Sequence, residues 1–209
     1  MKRFFVSALL LFSGAAFGTE YQIDSAHTAA QFSVKHLMVS TVRGQFSKVT
    51  GTINYDPKNV DATAANVTID PTTIDTREQR RDTHLKSPDF FDVAKFPTMT
   101  YKSTKVWKEG NKLMMAGDLN MHGVTKPLTL TMDMPAPEIK DAQGNLHTGT
   151  TATAKINRKD WGLTWNRAIE AGGVTVSDEV DITLDIEAVY RNPNAPPPPG
   201  AAPAGAASK

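Results

Sequence analysis

Apolar and polar residues alternate at every second position in eight separate runs, the period of strands that bury one face. The first run sets Phe32, Val34, His36 and Met38 against Gln31, Ser33 and Lys35. Short runs follow at Ile53 and Tyr55, at Val67 and Ile69, and at Met99 and Tyr101. Two longer ones come next, through Leu113, Met115, Leu119 and Met121 and through Leu128, Leu130, Met132 and Met134. Ala152, Ala154 and Ile156 form the seventh. Val180, Ile182, Leu184 and Ile186, interleaved with Asp181, Thr183 and Asp185, form the eighth. His122-Gly123 falls between the fifth and sixth runs, where a two-residue hairpin turn needs positive φ, and predicts antiparallel neighbours. Asp141 to Asn145, with Gly144, marks a further loop.

The fold class is therefore all-β. Eight half-apolar antiparallel strands can satisfy every edge by closing into an up-and-down barrel, or can stack as a two-layer sandwich. A barrel of eight can enclose one small ligand, whereas a sandwich interdigitates its inner faces and leaves no cavity. Periodicity alone does not choose between them. One helix is predicted from Asp75 to Leu85, with Asp75 and Glu78 spaced as a capping box. It is polar on most sides, and Leu85 with the following Phe90-Phe91 pair offers its anchor.

The ends of the chain differ from this pattern. Lys2 and Arg3 precede an apolar stretch from Phe4 to Phe17, with small residues at Ala16 and Gly18, which reads as a cleaved secretory signal over residues 1–18. That stretch is short against the roughly 20 residues that span a bilayer. The domain then runs from 19 to 190. Beyond it, residues 191–209 are rich in proline, alanine and glycine, with four prolines from Pro196 to Pro199, and predict a disordered tail. The chain has 23 basic and 22 acidic residues, and losing Lys2 and Arg3 leaves it near neutral, so bulk attraction to nucleic acid is not expected. It has no cysteine, which excludes disulfides, thiolate metal sites and a lipoprotein anchor. The expected product is a soluble periplasmic protein without stable membrane insertion.

Candidate chemistry is sparse. His27, His36, His84, His122 and His147 lack the two-apart or three-to-four-apart spacing of zinc ligands, so no metal is expected. There is no Gly-x-Ser-x-Gly elbow and no phosphate-binding glycine loop, so no catalytic residue is assigned. Arg77, Arg80, Arg81 and His84 resemble an anion-binding rim. Asp75, Glu78 and Asp82 in the same stretch favour instead a solvated face that neutralises itself. Arg43, beside Gly44 at a strand end, is a second candidate. Trp161, Leu163 and Trp165 alternate after Asn157-Arg158, where large aromatics can plug a barrel end or simply pack.

Several blocks are recognisable together: Ile23-Asp24-Ser25-Ala26-His27, Phe32 to Met38 running into Thr41-Val42-Arg43-Gly44, Arg81 to Asp92, Gly117-Asp118-Leu119 with His122 to Pro127, and Asn157 to Leu163 with Val176 to Val180. In order and across Tyr21 to Val189, they resemble the YceI-like family. The resemblance implies a lipocalin-like eight-stranded antiparallel barrel, exported by bacteria, holding a polyisoprenoid or other long-chain lipid, with no catalytic activity and no cofactor besides that lipid or quinone. The expected partner is thus a long-chain lipid, and a homodimer is one assembly to test. In a hollow barrel, parity assigns the lining to Phe32, Val34, His36 and Met38 on the first run, and to Met99 and Tyr101. Met115, Leu119 and Met121 continue it, with Leu130 and Met132 across the hairpin. Ile156, then Trp161, Leu163 and Trp165, then Ile182, Leu184 and Ile186 complete it. Met115, Met121, Met132 and Met134 would make an adaptable wall. His36, Arg43, Arg80, Arg81 and His84 are the candidates for a polar head group. Two rival readings stand beside the carrier: an enzyme acting on a prenyl or quinone substrate, and a solid-core interaction module docking through its proline-rich tail.

Overall fold

The computed structural model describes residues 18–168 and 174–194. The predicted leader, apart from Gly18, the tail beyond Asn194 and the Ala171-Gly172-Gly173 loop lie outside the described residues.

The chain opens with a long two-part hairpin. β1 (Thr19–Ile23) and β2 (Ala29–His36) run in one direction, broken at residues 24–28. β3 (Ser40–Phe46) and β4 (Val49–Tyr55) return along them, broken at Ser47 and Lys48. β2 pairs with β3 and β1 with β4, both antiparallel. The third strand is likewise split, into β5 (Ala64–Ile69) beside β4 and the two-residue β6 (Ile74–Asp75) beside β3. β7 (Met99–Glu109), β8 (Lys112–Met121) and β9 (Val124–Asp133) continue as a meander. A short β10 (Ile139–Lys140) flanks β11 (Leu146–Asn157), and β12 (Glu179–Tyr190) ends the fold.

Closure comes from β12. It pairs along its length with β11 and, on its other side, with β1 and β2. Counting each split strand once gives eight strands in an antiparallel ring, each beside its neighbours in sequence, which is the up-and-down barrel and excludes the sandwich. The eight alternating runs each fall on a different one of these strands. β1 and β3, which carry the outer halves of the first two, were missed, as were the two-residue β6 and β10. The weakest seam is β9 to β11, with two paired positions.

Local chemistry explains the joints. His122 and Gly123 both adopt positive φ, 53° and 75°, so the predicted hairpin turn forms between β8 and β9. A bulge between Ser103 and Lys105 in β7 shifts parity by one, turning Val106 inward on the same wall as Tyr101. The helix, α1 (Gln79–Lys86), begins later than expected. Its cap is Glu78, whose carboxylate accepts from the backbone N–H groups of Arg80 and Arg81, while Asp75 sits in β6 and accepts from Arg77 N–H. The capping box at Asp75 is thus corrected. Just past the last strand, Asn192 N–H donates to Asn145 and its side-chain amide to the Gln143 carbonyl. Among the described residues no helix is long and apolar enough to cross a membrane.

Candidate functional site

Strand directions place the β2–β3 turn, α1, the β8–β9 turn and residues 157–168 and 174–178 at one end of the barrel. β1 begins, and the loop before β11 lies, at the other. That far end is closed by Tyr21, wholly buried, with Tyr55 and Tyr190 edge-on at 6.4 and 6.2 Å. The Tyr21 hydroxyl donates to Glu138, and burial first, then this carboxylate, pushes the phenol far above its ordinary range.

Between the ends the barrel is hollow. A larger chamber of about 460 Å³ adjoins a smaller one of about 130 Å³, and Ala30, Ile69, Leu119, Ile182 and Leu184 border both. The smaller chamber is floored by fully apolar packing around Val106, Leu113 and Met115. Tyr101 lies there too, its hydroxyl donating to the carbonyls of Met115 (2.8 Å) and Leu128 (3.3 Å), so its polarity is spent on the wall. Around the larger chamber Phe32, Val34, Ile182 and Leu184 are only half-buried although they point inward, because part of their surface borders empty space. Phe32, Phe46 and Phe91 form an aromatic row along it, with ring centroids 5.7 and 5.4 Å apart.

The parity reading places most of its residues here. Phe32, Val34, His36, Met99, Leu119, Met121, Ile156, Leu163, Trp165, Ile182 and Leu184 line the larger chamber. Tyr101, Met115, Leu119, Leu130, Met132, Ile182, Leu184 and Ile186 line the smaller. Three assignments are corrected. Met38 is 58 % exposed, because β2 ends at His36 and parity does not carry through the turn. Trp161 is buried but lines neither chamber. Its indole N–H donates to the Leu119 carbonyl at 3.1 Å, and its own carbonyl accepts from His122 Nδ1, riveting the Arg158–Trp161 turn to the β8–β9 hairpin. Arg43 is exposed and borders neither chamber. Met134 leaves the methionine wall as well, at 41 % exposed.

The near end carries the polar groups. Arg80, Arg81 and His84 of α1 border the larger chamber with His36 from β2. His84 Nε2 lies 2.7 Å from Asp89, and its ring stands edge-on to Trp165 and Phe90, at 4.9 and 5.1 Å. Arg81 donates to the side-chain and main-chain oxygens of Thr76, at 2.7 and 2.9 Å. On this face the acidic and basic side chains lie close together without direct ion pairs. Glu78 is spent on the helix cap, Asp75 on Arg77 N–H and Asp82 on Thr76, so among the described residues no carboxylate lies within 4 Å of the Arg77, Arg80 or Arg81 guanidinium.

Arg158 was not singled out from sequence. It is 4 % exposed, yet borders the chamber, donating to the carbonyls of Ser177 (3.0 Å) and Leu163 and approaching Asp178 at 3.5 Å. Desolvation pulls its pKa down, and Asp178 acts against that. The fold also assembles Asp24, His27 and Glu187, with donor atoms within 4.8 Å of one another, from positions whose spacing showed no such cluster. His147 bridges Glu187 (2.9 Å) and Asp141 (3.1 Å) beside them. These groups satisfy one another, and none borders a chamber.

A closed antiparallel barrel of eight strands around an apolar hollow with a basic rim defines the class of cavity-enclosing barrels. The YceI-like domain model matches residues 21–188, and the chain belongs to that family. It is 37 % identical over 190 residues to "Protein YceI" of Salmonella newport, covering 90 % of this chain and 96 % of that one. Among solved structures, the Campylobacter jejuni YceI protein is 31 % identical with a TM-score of 0.64, covering 76 % of this chain and 90 % of that one. Two more distant structures share the fold. They are Burkholderia cenocepacia BcnA (20 % identity, TM-score 0.67, 79 % and 98 % covered) and a polyisoprenoid binding domain from Saccharophagus degradans (15 %, 0.58, 80 % and 97 %).

Proposed function

We propose that this protein is a carrier that holds one long-chain isoprenoid lipid, a polyprenyl phosphate or an isoprenoid quinone, inside its barrel for storage or transport in the periplasm. The observation that carries this reading is the hollow itself. The larger chamber alone, about 460 Å³, falls in the roughly 300–1,000 Å³ range of small-ligand sites. It adjoins a second, mainly apolar one deeper in the barrel, which suits a molecule with a polar head and a long apolar chain. Burying one five-carbon isoprene unit yields up to about 3 kcal/mol, so two or three reach about 8 kcal/mol, the micromolar scale before ordering costs. Arg80 and Arg81, whose guanidinium groups form no ion pair within 4 Å among the described residues, and the His36 and His84 imidazoles suit a phosphate or quinone oxygen at the mouth. The name of the Saccharophagus degradans domain points the same way. The leader-like first 18 residues support export.

An enzyme would need titrating groups converging on a reacting atom, and the chamber's polar groups gather instead at its rim. The test is mass spectrometry of an organic extract from protein purified without detergent from its own host. A stoichiometric prenyl lipid is the expected result. No lipid after repeated native purification, with refusal of added quinone and polyprenyl phosphate, overturns the reading.

A further inference from the structure

The turn joining β2 to β3 is Leu37-Met38-Val39, and all three side chains are exposed, at 38, 58 and 83 %. Val39 N–H closes the turn on the His36 carbonyl at 3.1 Å, with Leu37 and Met38 both at positive φ, 51° and 61°. Such a turn favours Asn-Gly, and large apolar residues are strained in it. Neither water nor the fold rewards placing leucine and methionine there, so the strain and the exposure together indicate a surface kept for contact.

Position says what that contact is. The turn is continuous with the chamber mouth: His36 borders the chamber, and Leu37 N–H donates to the carbonyl of Thr175, which borders it too. Behind the tip, Lys35 and Arg43 lie on the outer face of the β2–β3 ladder, and Arg80 stands at the mouth. Among the described residues none has a carboxylate within 4 Å. Three apolar side chains ahead of basic groups that form no direct ion pair match the boundary between the acyl chains and anionic head groups of a bilayer. Net charge is near zero, so this attraction is local to the tip.

We infer that Leu37-Met38-Val39 is a membrane-docking tip, which sets the mouth of the barrel against an anionic lipid surface so that a chain passes between bilayer and chamber without crossing water. The inference rests on the carrier reading for its purpose, but the docking is measurable without any cavity ligand.

The experiment is sedimentation of the chain from Thr19 onward, where the first strand begins, with sucrose-loaded vesicles of phosphatidylethanolamine and phosphatidylglycerol. The variant carries Leu37→Asn with Met38→Gly, which installs the residues the turn favours and so supports folding. Docking predicts that the variant melts at the same or a higher temperature while its vesicle partition coefficient falls by about tenfold or more. Wild-type binding should weaken in about 0.5 M salt and on purely zwitterionic vesicles. Chamber filling, followed by equilibrium dialysis against a short prenyl alcohol, should be unchanged. Equal vesicle binding by variant and wild type, no wild-type binding, or retention only through a membrane protein added to the vesicles would each overturn the docking inference. Loss of prenyl uptake by both proteins, with vesicle binding intact, would instead strike the carrier reading.

Discussion

Leu184 stands at the junction of the two chambers, and replacing it with tryptophan separates them. Its register partners are Ala152 on β11 and Ala30 on β2, so small side chains flank it and the larger ring has space to enter the hollow rather than the wall. Because Leu184 is only half-buried and faces empty volume, the substitution should leave the melting temperature within a few degrees, unlike overpacking in a solid core, which costs about 1–3 kcal/mol. The ligand should feel it strongly. A chain long enough to reach the 130 Å³ chamber loses the burial of about one isoprene unit there, roughly 3 kcal/mol, or on the order of a hundredfold in Kd. A chain of one or two units, contained in the 460 Å³ chamber, should change by no more than about threefold. Equilibrium dialysis against prenyl alcohols of graded length reads both quantities. A loss equal at every length, or none at the greatest length in a folded variant, would refute the assignment of the smaller chamber to the chain terminus.

Three other outcomes are expected. Arg158→Leu leaves the Ser177 and Leu163 carbonyls without their buried donor, which should destabilise by about 2–4 kcal/mol and lower Tm by roughly 5–12 °C; an unchanged calorimetric Tm would contradict this. Arg80→Ala should weaken a polyprenyl phosphate by about tenfold while leaving the corresponding alcohol unaffected, a comparison that equilibrium dialysis makes directly. Burial acts to raise the pKa of Asp141, but hydrogen bonds from Asn145, His147 and two backbone N–H groups outweigh it and hold the carboxyl at about 2, against 3.8 unperturbed. Its contribution is therefore complete above pH 3.8 and is lost as pH falls towards 2. Asp141→Asn should lower Tm at neutral pH and flatten its decline across that acid window, as thermal melts at graded pH will show.

The corrections to the sequence reading have local causes. Met38 was carried inward by extending a period of two past the last strand residue, but the period ends where the backbone turns, at positive φ. β3 went unread because Ser40–Phe46 has one fully buried residue, Phe46, and its polar and apolar positions barely alternate. Arg158 was visible only as part of a motif. Its side chain continues the inward parity of Ala152, Ala154 and Ile156, one step past the end of β11 where the Arg158–Trp161 turn begins and the alternating apolar run has already stopped. The lack of a direct ion pair at Arg80 and Arg81 depended on Glu78, Asp75 and Asp82 each finding a backbone or hydroxyl donor.

By itself the sequence determined the eight strands, the β8–β9 turn and the inward face of most of the wall, since burial of one face imposes period two wherever the chain is extended, and a two-residue hairpin imposes positive φ on its residues. Only the tertiary structure decided that the wall closes on itself through β12, that it encloses two adjoining chambers rather than a filled core, and that the mouth arginines, His36, His84 and the apolar tip meet at one end. Those outcomes depend on pairings between residues far apart in the chain and on whether facing side chains are long enough to meet across the barrel, and neither quantity is carried by a local pattern.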